Sequence, residues 1–458
     1  MNKLIIFAIA LYIRNIFNMS KYQFSIHNYH AINKATISLD GITVISGANG
    51  SGKSTLSKWL YYLINGANNY DKMLEESSID LLRRKVQRYN IVRMDISQFR
   101  DADKEISMFF KEAEIKLEAS DNFFEASNIY AMVLKKFCSM FTDYLEKNYN
   151  ARKTDRALSY LNIHFDDTLT AEKNIERFYQ HEQVTLGNME DNLLHLQSMR
   201  PFTDFDRLLH TYYGIEDSFP NNIQFTEDNV KLIVKGKIGN LFNLNRAIYI
   251  DTPMAVSDES DNNIFWEQLH ELMLFSKNNA SSAGTGEKRL LKRIKNLING
   301  EVKIRKDSFN GDELHYVRED GLDIRLEHVA TGYKSFSYLQ RLLENGHLDT
   351  NTLLLIDEPE AHLHPQWIVE FARLLVLINK EIGVKIMVAS HNPDFVAAIQ
   401  AIANKEGVAG TLNFYLARQS ETGFTHDYIP LGQDIEEIFK SFNIAYQRIE
   451  QYGNGYGI

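Results

Sequence analysis

The chain has 458 residues, 44% of them hydrophobic and 12% aromatic, which is ample material for a large buried core and excludes an intrinsically disordered protein. Its length exceeds what one simple core holds, so two or three domains, or one large domain with a long insertion, are expected. The net charge of −10 excludes a broadly basic nucleic-acid coat but not a local basic patch, and a single cysteine excludes an internal disulfide and suits a reducing cytoplasm.

At the N-terminus, Lys3 precedes an apolar run from Leu4 to Ile13 that Arg14 interrupts. The run is about half a bilayer span and has no small-residue cleavage site. We read residues 1–21 as a non-native or disordered extension, with Met19 as the start of synthesis, and expect no membrane segment. Strand patterns follow in "YQFSI" and "ATISLDGITVIS", where Asp40-Gly41 suggests a hairpin-like turn. Lys53 then opens a helical pattern, "KSTLSKWLYYLI", that ends near Gly66. After a further strand-like stretch, "NIVRMDI", the pattern turns helical from about Asp101 to Tyr213, with an apolar stripe of Ile129, Val133, Phe137, Phe141 and Tyr144 that predicts packing between helices. Cys138 lies on this stripe and reads as a buried thiol. Strands resume with "NIQFTEDNVKLIVKG" and "RAIYID", and "KNNASSAGTGEK" reads as a loop before a helix carrying Lys288, Arg289, Lys292, Arg293 and Lys295. The expected division is therefore 22–100 as the first part of a head, 101–215 as a helical insertion and 216–458 as the second part.

Four motifs carry the chemistry. "GANGSGKST" fits G-x-x-x-x-G-K-[ST] at Gly47, Gly52, Lys53 and Ser54, between a β-branched strand and a helix. Such a loop turns successive backbone N–H groups, here those of Gly47, Asn49, Gly50, Ser51, Gly52 and Thr55 among others, around a phosphate chain. Lys53 reaches the terminal phosphates of a nucleoside triphosphate and Ser54 holds Mg²⁺. Downstream, "NTLLLIDEPEAHLHP" presents Asp357 and Glu358 at the end of an apolar strand. Asp357 helps to hold Mg²⁺ through water, and Glu358 polarises the water that attacks the γ-phosphate. "VKIMVAS" delivers His391 to a strand end, where an imidazole can sense that phosphate. Between these, Thr331 and Gly332 open a helix whose N-terminus is either a simple cap or an anion site for a second subunit.

In that order, "GANGSGKST", "ATGYKSFSYLQ", "LLLIDEPEAHLHP" and "ASHNPDFV" resemble the ABC-type ATPase heads of the SMC, RecF and OLD group, especially the stand-alone ATPases of bacterial anti-phage defence. The resemblance covers roughly 22–66 and 285–430 and disfavours a transporter subunit. It implies an α/β fold, an ABC-type P-loop head with a mixed sheet, flanking helices and a helical insertion. It further implies two heads sharing each ATP head-to-tail, with Lys53, Ser54, Asp357, Glu358 and His391 acting in cis and Thr331, Gly332 and Lys334 in trans. Tyr333 and Lys334 depart from the transporter signature, and Lys334 would bring a positive charge to the partner's γ-phosphate. A glutamine is expected to join the Mg²⁺; Gln98 is preferred to Gln87. His364 stands at the D-loop position, where it suggests a subunit contact, and His30 where relatives often carry a basic residue near the nucleotide.

The functional expectation is an ATP-binding and ATP-hydrolysing switch, a homodimer or higher homo-oligomer in the cytoplasm, serving as the sensor of an anti-phage system. No nuclease signature is visible after the last motif, so output is expected through a nuclease or toxin partner encoded nearby. The alternative is a RecF-like ATPase that clamps or repairs DNA, which the basic helix supports and the acidic total charge opposes.

Overall fold

A computed structural model describes residues 22–96, 102–148, 152–166, 168–251, 263–277, 284–307, 311–421, 423–440 and 452. The N-terminal extension expected over 1–21, and Gln98, lie outside the described residues. The chain divides into two compact units, one built from Met1–Asn68 with Tyr213–Ile458 and the other from Asn69–Tyr212.

The first unit is organised by a ten-stranded mixed sheet. An antiparallel part comprises β1 (Tyr22–Tyr29), β2 (Ile32–Ser38), β4 (Asn222–Glu227) and β5 (Val230–Lys231), with β1 pairing antiparallel to both β2 and β4. A short hairpin of β6 (Ile233–Val234) and β7 (Lys237–Ile238) follows β5. The parallel part runs from β14 (Leu412–Gln419) through β3 (Ile42–Ser46), β13 (Lys385–Ser390) and β12 (Thr352–Asp357) to β8 (Arg246–Ile250). β15 (His426–Gly432) joins the two parts, antiparallel to β14 and parallel to β2. A separate antiparallel sheet holds β9 (Gly300–Asp307), β10 (Gly311–Arg318) and β11 (Asp323–Arg325).

The central strands are buried along their whole length, as β3 and β12 show, because helices cover both faces of a parallel sheet. The covering helices of this unit include α1 (Lys53–Asn68), α8 (Ile264–Leu274), α9 (Thr285–Ile298), α10 (Thr331–Glu344), α11 (Pro365–Ile382) and α12 (Pro393–Glu406). Ile42, Val44, Leu354, Ile356, Ile386 and Val388 from the sheet pack with Phe336, Leu339, Phe371 and Leu375 from the helices into one core. α9 starts at Thr285, inside the stretch expected to be loop.

The Asp40-Gly41 turn is not a hairpin. β2 and β3 are separated by β15 and β14, because the fully buried β3 takes the centre of the parallel sheet. At the crossing a Cβ on Gly41 would lie 2.4 Å from the Thr411 carbonyl oxygen, so no larger residue fits without a shift.

The second unit is helical, with α2 (Tyr70–Ile96), α3 (Ala102–Glu118), α4 (Phe123–Asn148), α5 (Arg152–Leu161), α6 (Ala171–Met199) and α7 (Phe202–Tyr213), which ends at the unit boundary. "NIVRMDI" is the end of α2 and not a strand: Ile79, Leu82, Val86, Tyr89, Val92 and Ile96 are buried at helical spacing, and seven residues read alone hide that period. The helical unit accordingly starts at Asn69, upstream of the expected 101. On α4, Ile129, Val133, Phe137 and Phe141 are buried, whereas Tyr144 is only partly covered and Leu145 completes the stripe. Burial pushes the Cys138 thiol up to about 12, which makes it inert at neutral pH. Within this core Lys85, Tyr89 and Tyr130 all bond to the buried Glu182 carboxylate, which satisfies an anion that would otherwise be costly there.

Candidate functional site

Register explains how distant motifs meet. Ser390 pairs with Ser46, Ala389 with Asp357, and Ile250 with Ile356, so β3, β13, β12 and β8 all end at one carboxyl edge. In open α/β sheets that edge is where ligands bind. Gly47, Glu358, His391 and Asp251 are each the residue that follows one of these strand ends.

The loop between β3 and α1 is shaped by close approaches. A Cβ on Gly47 would lie 2.6 Å from the Ala417 methyl, and one on Gly52 would lie 2.8 Å from the Ile32 side chain. Gly52 also has φ +95°, a conformation that glycine adopts at no steric cost. Tyr428 of β15 donates from its hydroxyl to the Ser51 carbonyl at 2.9 Å, fastening the loop from behind. Asn49 and Gly50 are exposed at the tip, Ser54 is exposed at the start of α1, and Thr55 is half-buried.

Lys53 is 7% exposed and its ammonium donates to the Gly47 and Ala48 carbonyls at 2.9 and 3.0 Å. Burial lowers its pKa, and the charges of Glu358, Asp357 and Glu360 oppose that shift. A lysine amid carboxylates at a glycine loop is suited to exchange its carbonyl partners for phosphate oxygens.

Asp357 is buried and fully engaged. Its Oδ1 accepts from Ser57 at 2.7 Å and its Oδ2 from Tyr249 at 2.9 Å. Burial pushes its carboxyl pKa up, while Ser57, Ser54 and Tyr249 hold it down and Asp251 pushes it further up. Two partners here, Ser57 and Tyr249, escaped the sequence reading. Ser57 lies one helical turn beyond Lys53, where its hydroxyl also reaches back to the Lys53 carbonyl at 3.5 Å, and Tyr249 lies inside an apolar strand. Asp251, next along the chain from β8, was likewise not singled out.

Glu358 has φ +48°, an uncommon conformation for this residue type, which turns the chain sharply after β12. Its amide donates to the Ala389 carbonyl at 2.8 Å, and its carboxylate lies 3.5 Å from Nδ1 of His391. Both side chains are partly open, 35% and 45% exposed.

Thr331 and Gly332 open α10, but the capping position is Ala330, which supplies no side-chain acceptor. The first amides of this helix therefore lack the usual cap. Gly332 is confined by close packing: a Cβ there would lie 3.1 Å from the Trp367 ring and 3.3 Å from Leu363. Lys334 is 5% exposed, and burial lowers its pKa against the opposing charge of Glu327. Among the described residues, Thr331, Gly332 and Lys334 make no hydrogen bond to the Gly47–Thr55 loop. His364 caps α11 through Nδ1, which accepts from the Gln366 amide at 3.4 Å. His30 sits in the β1–β2 turn with its ring against Tyr29 at 4.2 Å and lies 3.9 Å from Asp217.

Among the described residues no helix is long and apolar enough to cross a membrane. The chain is similar in outline to several solved structures. They include the Smc head domain of Pyrococcus furiosus, solved with the C-terminal domain of ScpA, at 10% identity and TM-score 0.34 over 93% of this chain and 100% of that one. The SMC head domain from Thermotoga maritima matches at 11% identity and TM-score 0.35, over 90% and 98% of the two chains. The ADP conformation of an ATP-binding cassette of an ABC transporter matches at 8% identity and TM-score 0.31, over 87% of each chain. No curated protein matches the sequence. The family model described as AAA ATPase domain (AAA_15) matches residues 19–396, most of the chain, which therefore belongs to the AAA ATPase domain family and is an ATPase.

Proposed function

We propose that the protein is an ATP-driven dimeric switch, in which the edge formed by β3, β12 and β13 hydrolyses ATP to ADP and phosphate. The observation that carries this reading is the placement of Glu358. It projects from a left-handed turn after Asp357, beside His391, at the edge where the glycine loop opens. In the proposed reaction Glu358 orients a water and takes its proton as the oxygen attacks the γ-phosphorus, the bond to the β-phosphate oxygen breaks, and ADP leaves. Lys53 and the loop amides hold the phosphate chain, and His391 bonds the γ-phosphate.

The oxygen donors here suit a hard divalent cation. The Ser54 hydroxyl and Asp357 carboxylate meet, and burial leaves the Asp357 anion short of compensating charge. These two residues would hold Mg²⁺, which when bound screens the charge of the phosphates.

Dimerisation is supported by the start of α10, which has no side-chain cap and where the Thr331 and Gly332 amides have no acceptor among the described residues, so that they suit a phosphate presented by a second copy. Lys334 must leave its buried position to serve such a partner, so the backbone is the better candidate for that contact. ATP shared by two heads favours closure, and a differential affinity of a few kcal/mol shifts the open and closed populations tens- to hundreds-fold. We further propose, on the motif resemblance, a cytoplasmic sensor of anti-phage defence that acts through a nuclease or toxin partner encoded nearby.

The DNA-clamping alternative loses support. On α9, Arg289 pairs with Glu381, Arg293 with Glu370 and Lys295 with Glu301, so these cations are already neutralised locally. The test of the switch is Glu358→Gln. It should bind ATP, turn over at least about 100-fold more slowly and accumulate as a dimer in light scattering. Turnover at the parent rate would overturn the assignment of Glu358.

A further inference from the structure

Glu360 stands two residues beyond the proposed base, in the turn that leaves β12. It is 6% exposed, in a place where an ionised carboxylate is costly unless its oxygens find donors. Among the described residues, the donors that it finds belong to one place. Its Oε1 accepts from the Ser390 hydroxyl at 2.8 Å and from the His391 amide at 3.0 Å, and lies 3.6 Å from Nδ1 of the His391 ring. Its Oε2 is buried and has no hydrogen-bond partner among the described residues. Nδ1 of His391 thus stands between two carboxylates, 3.5 Å from Glu358 and 3.6 Å from Glu360. The network continues from Ser390, whose hydroxyl accepts from the Asn392 amide at 3.1 Å, to the Asn392 side chain that caps α12.

We propose that Glu360 is a positioning residue that holds the imidazole of His391 beside Glu358 and acts on hydrolysis through that imidazole. Hydrogen bonding alone does not require an acid here, because a glutamine oxygen could accept from both the Ser390 hydroxyl and the His391 amide. The negative charge matters to the ring: the two carboxylates on the Nδ1 side suit an N–H at that nitrogen, so the ring bonds a phosphate oxygen on its other side only when Nε2 also carries a proton to donate. The proposal rests on the reading that His391 bonds the γ-phosphate.

The test is a double-mutant cycle on the full chain with Glu360→Gln, His391→Ala and the pair. Steady-state ATPase is measured together with the affinities for ADP and for the non-hydrolysable analogue AMP-PNP. Glu360→Gln should lower kcat about 10- to 100-fold, by the measure of carboxylates that orient a metal-ligating histidine, and should narrow the preference for AMP-PNP over ADP. In the His391→Ala background it should cost less than about twofold more, because its effect passes through the missing ring. Additive losses, or parent-like turnover of Glu360→Gln beside an impaired His391→Ala, overturn the role of Glu360 alone. Parent-like turnover of His391→Ala overturns the reading of His391 and this proposal with it. Should Glu360→Gln not fold, Ser390→Ala removes one donor to the same carboxylate, and its loss of kcat must likewise vanish in the His391→Ala background.

Discussion

Replacing Ser57 by alanine removes a donor that the structure places on the buried oxygen of Asp357. The bond is 2.7 Å long, and Ser57 is fully buried, so water cannot take its place without rearrangement. Hydrogen bonds to a charged group contribute about 1.5–3 kcal/mol, and Asp357 would keep only Tyr249 and Ser54. For a large domain each kcal/mol moves the unfolding midpoint by about 2 °C, so Ser57→Ala should lower it by about 3–6 °C at pH 7.5 without nucleotide. The pH dependence has a definite sign. Burial raises the folded-state pKa of Asp357, so its contribution to stability is fully present below the unfolded-state pKa and is lost as pH rises through the folded-state value. Ser57 stabilises the ionised form, so the penalty of Ser57→Ala should be largest near neutrality and should shrink as the pH approaches 4. Thermal unfolding followed by circular dichroism at pH 7.5 and at pH 4.5 measures both quantities. An unchanged midpoint at pH 7.5, or a deficit that is as large at pH 4.5, refutes the account of how Asp357 is held.

Other outcomes follow from the same geometry. Lys53→Ala deletes the ammonium that bridges the Gly47 and Ala48 carbonyls and should weaken binding of a fluorescent ATP analogue at least about 100-fold, read by anisotropy. Gly332→Ala puts a methyl 3.1 Å from the Trp367 ring and should cost about 1–3 kcal/mol of stability in chemical denaturation. If the start of α10 also meets a second copy's ATP, that variant should lose ATP-dependent association in light scattering while keeping nucleotide affinity. Lys288→Glu with Lys292→Glu, both exposed on α9, should leave ATPase activity within about twofold, and stimulation of the parent by duplex DNA that this pair abolishes would revive the clamping alternative.

Short-range signals made much of the site legible. Gly47 to Thr55 announce a phosphate loop because the glycines, the lysine and the following helix are contiguous, and Asp357 and Glu358 stand out because charge follows an unbroken apolar strand. The same logic failed for "NIVRMDI", where a short β-branched window concealed the helical period of α2, and for Asp40-Gly41, where a good turn sequence joins strands that do not pair. Ser57, Tyr249, Asp251 and Glu360 carry no such local signal: a serine in a helix, a tyrosine in a strand and acids near turns are ordinary until something faces them.

By itself the sequence determined the strands and helices beside the motifs, β3, α1, β12 and β13 among them, and which residues are candidates to grip and cleave a phosphate chain. Those properties depend on neighbours within a few residues. The tertiary structure alone decided that β3 lies between β13 and β14, and hence that Ser57 reaches Asp357 across 300 positions of chain and Glu360 reaches the amide of His391. Strand order is set by which buried faces pack best over the whole sheet, a non-local competition that leaves no mark in any short window of sequence.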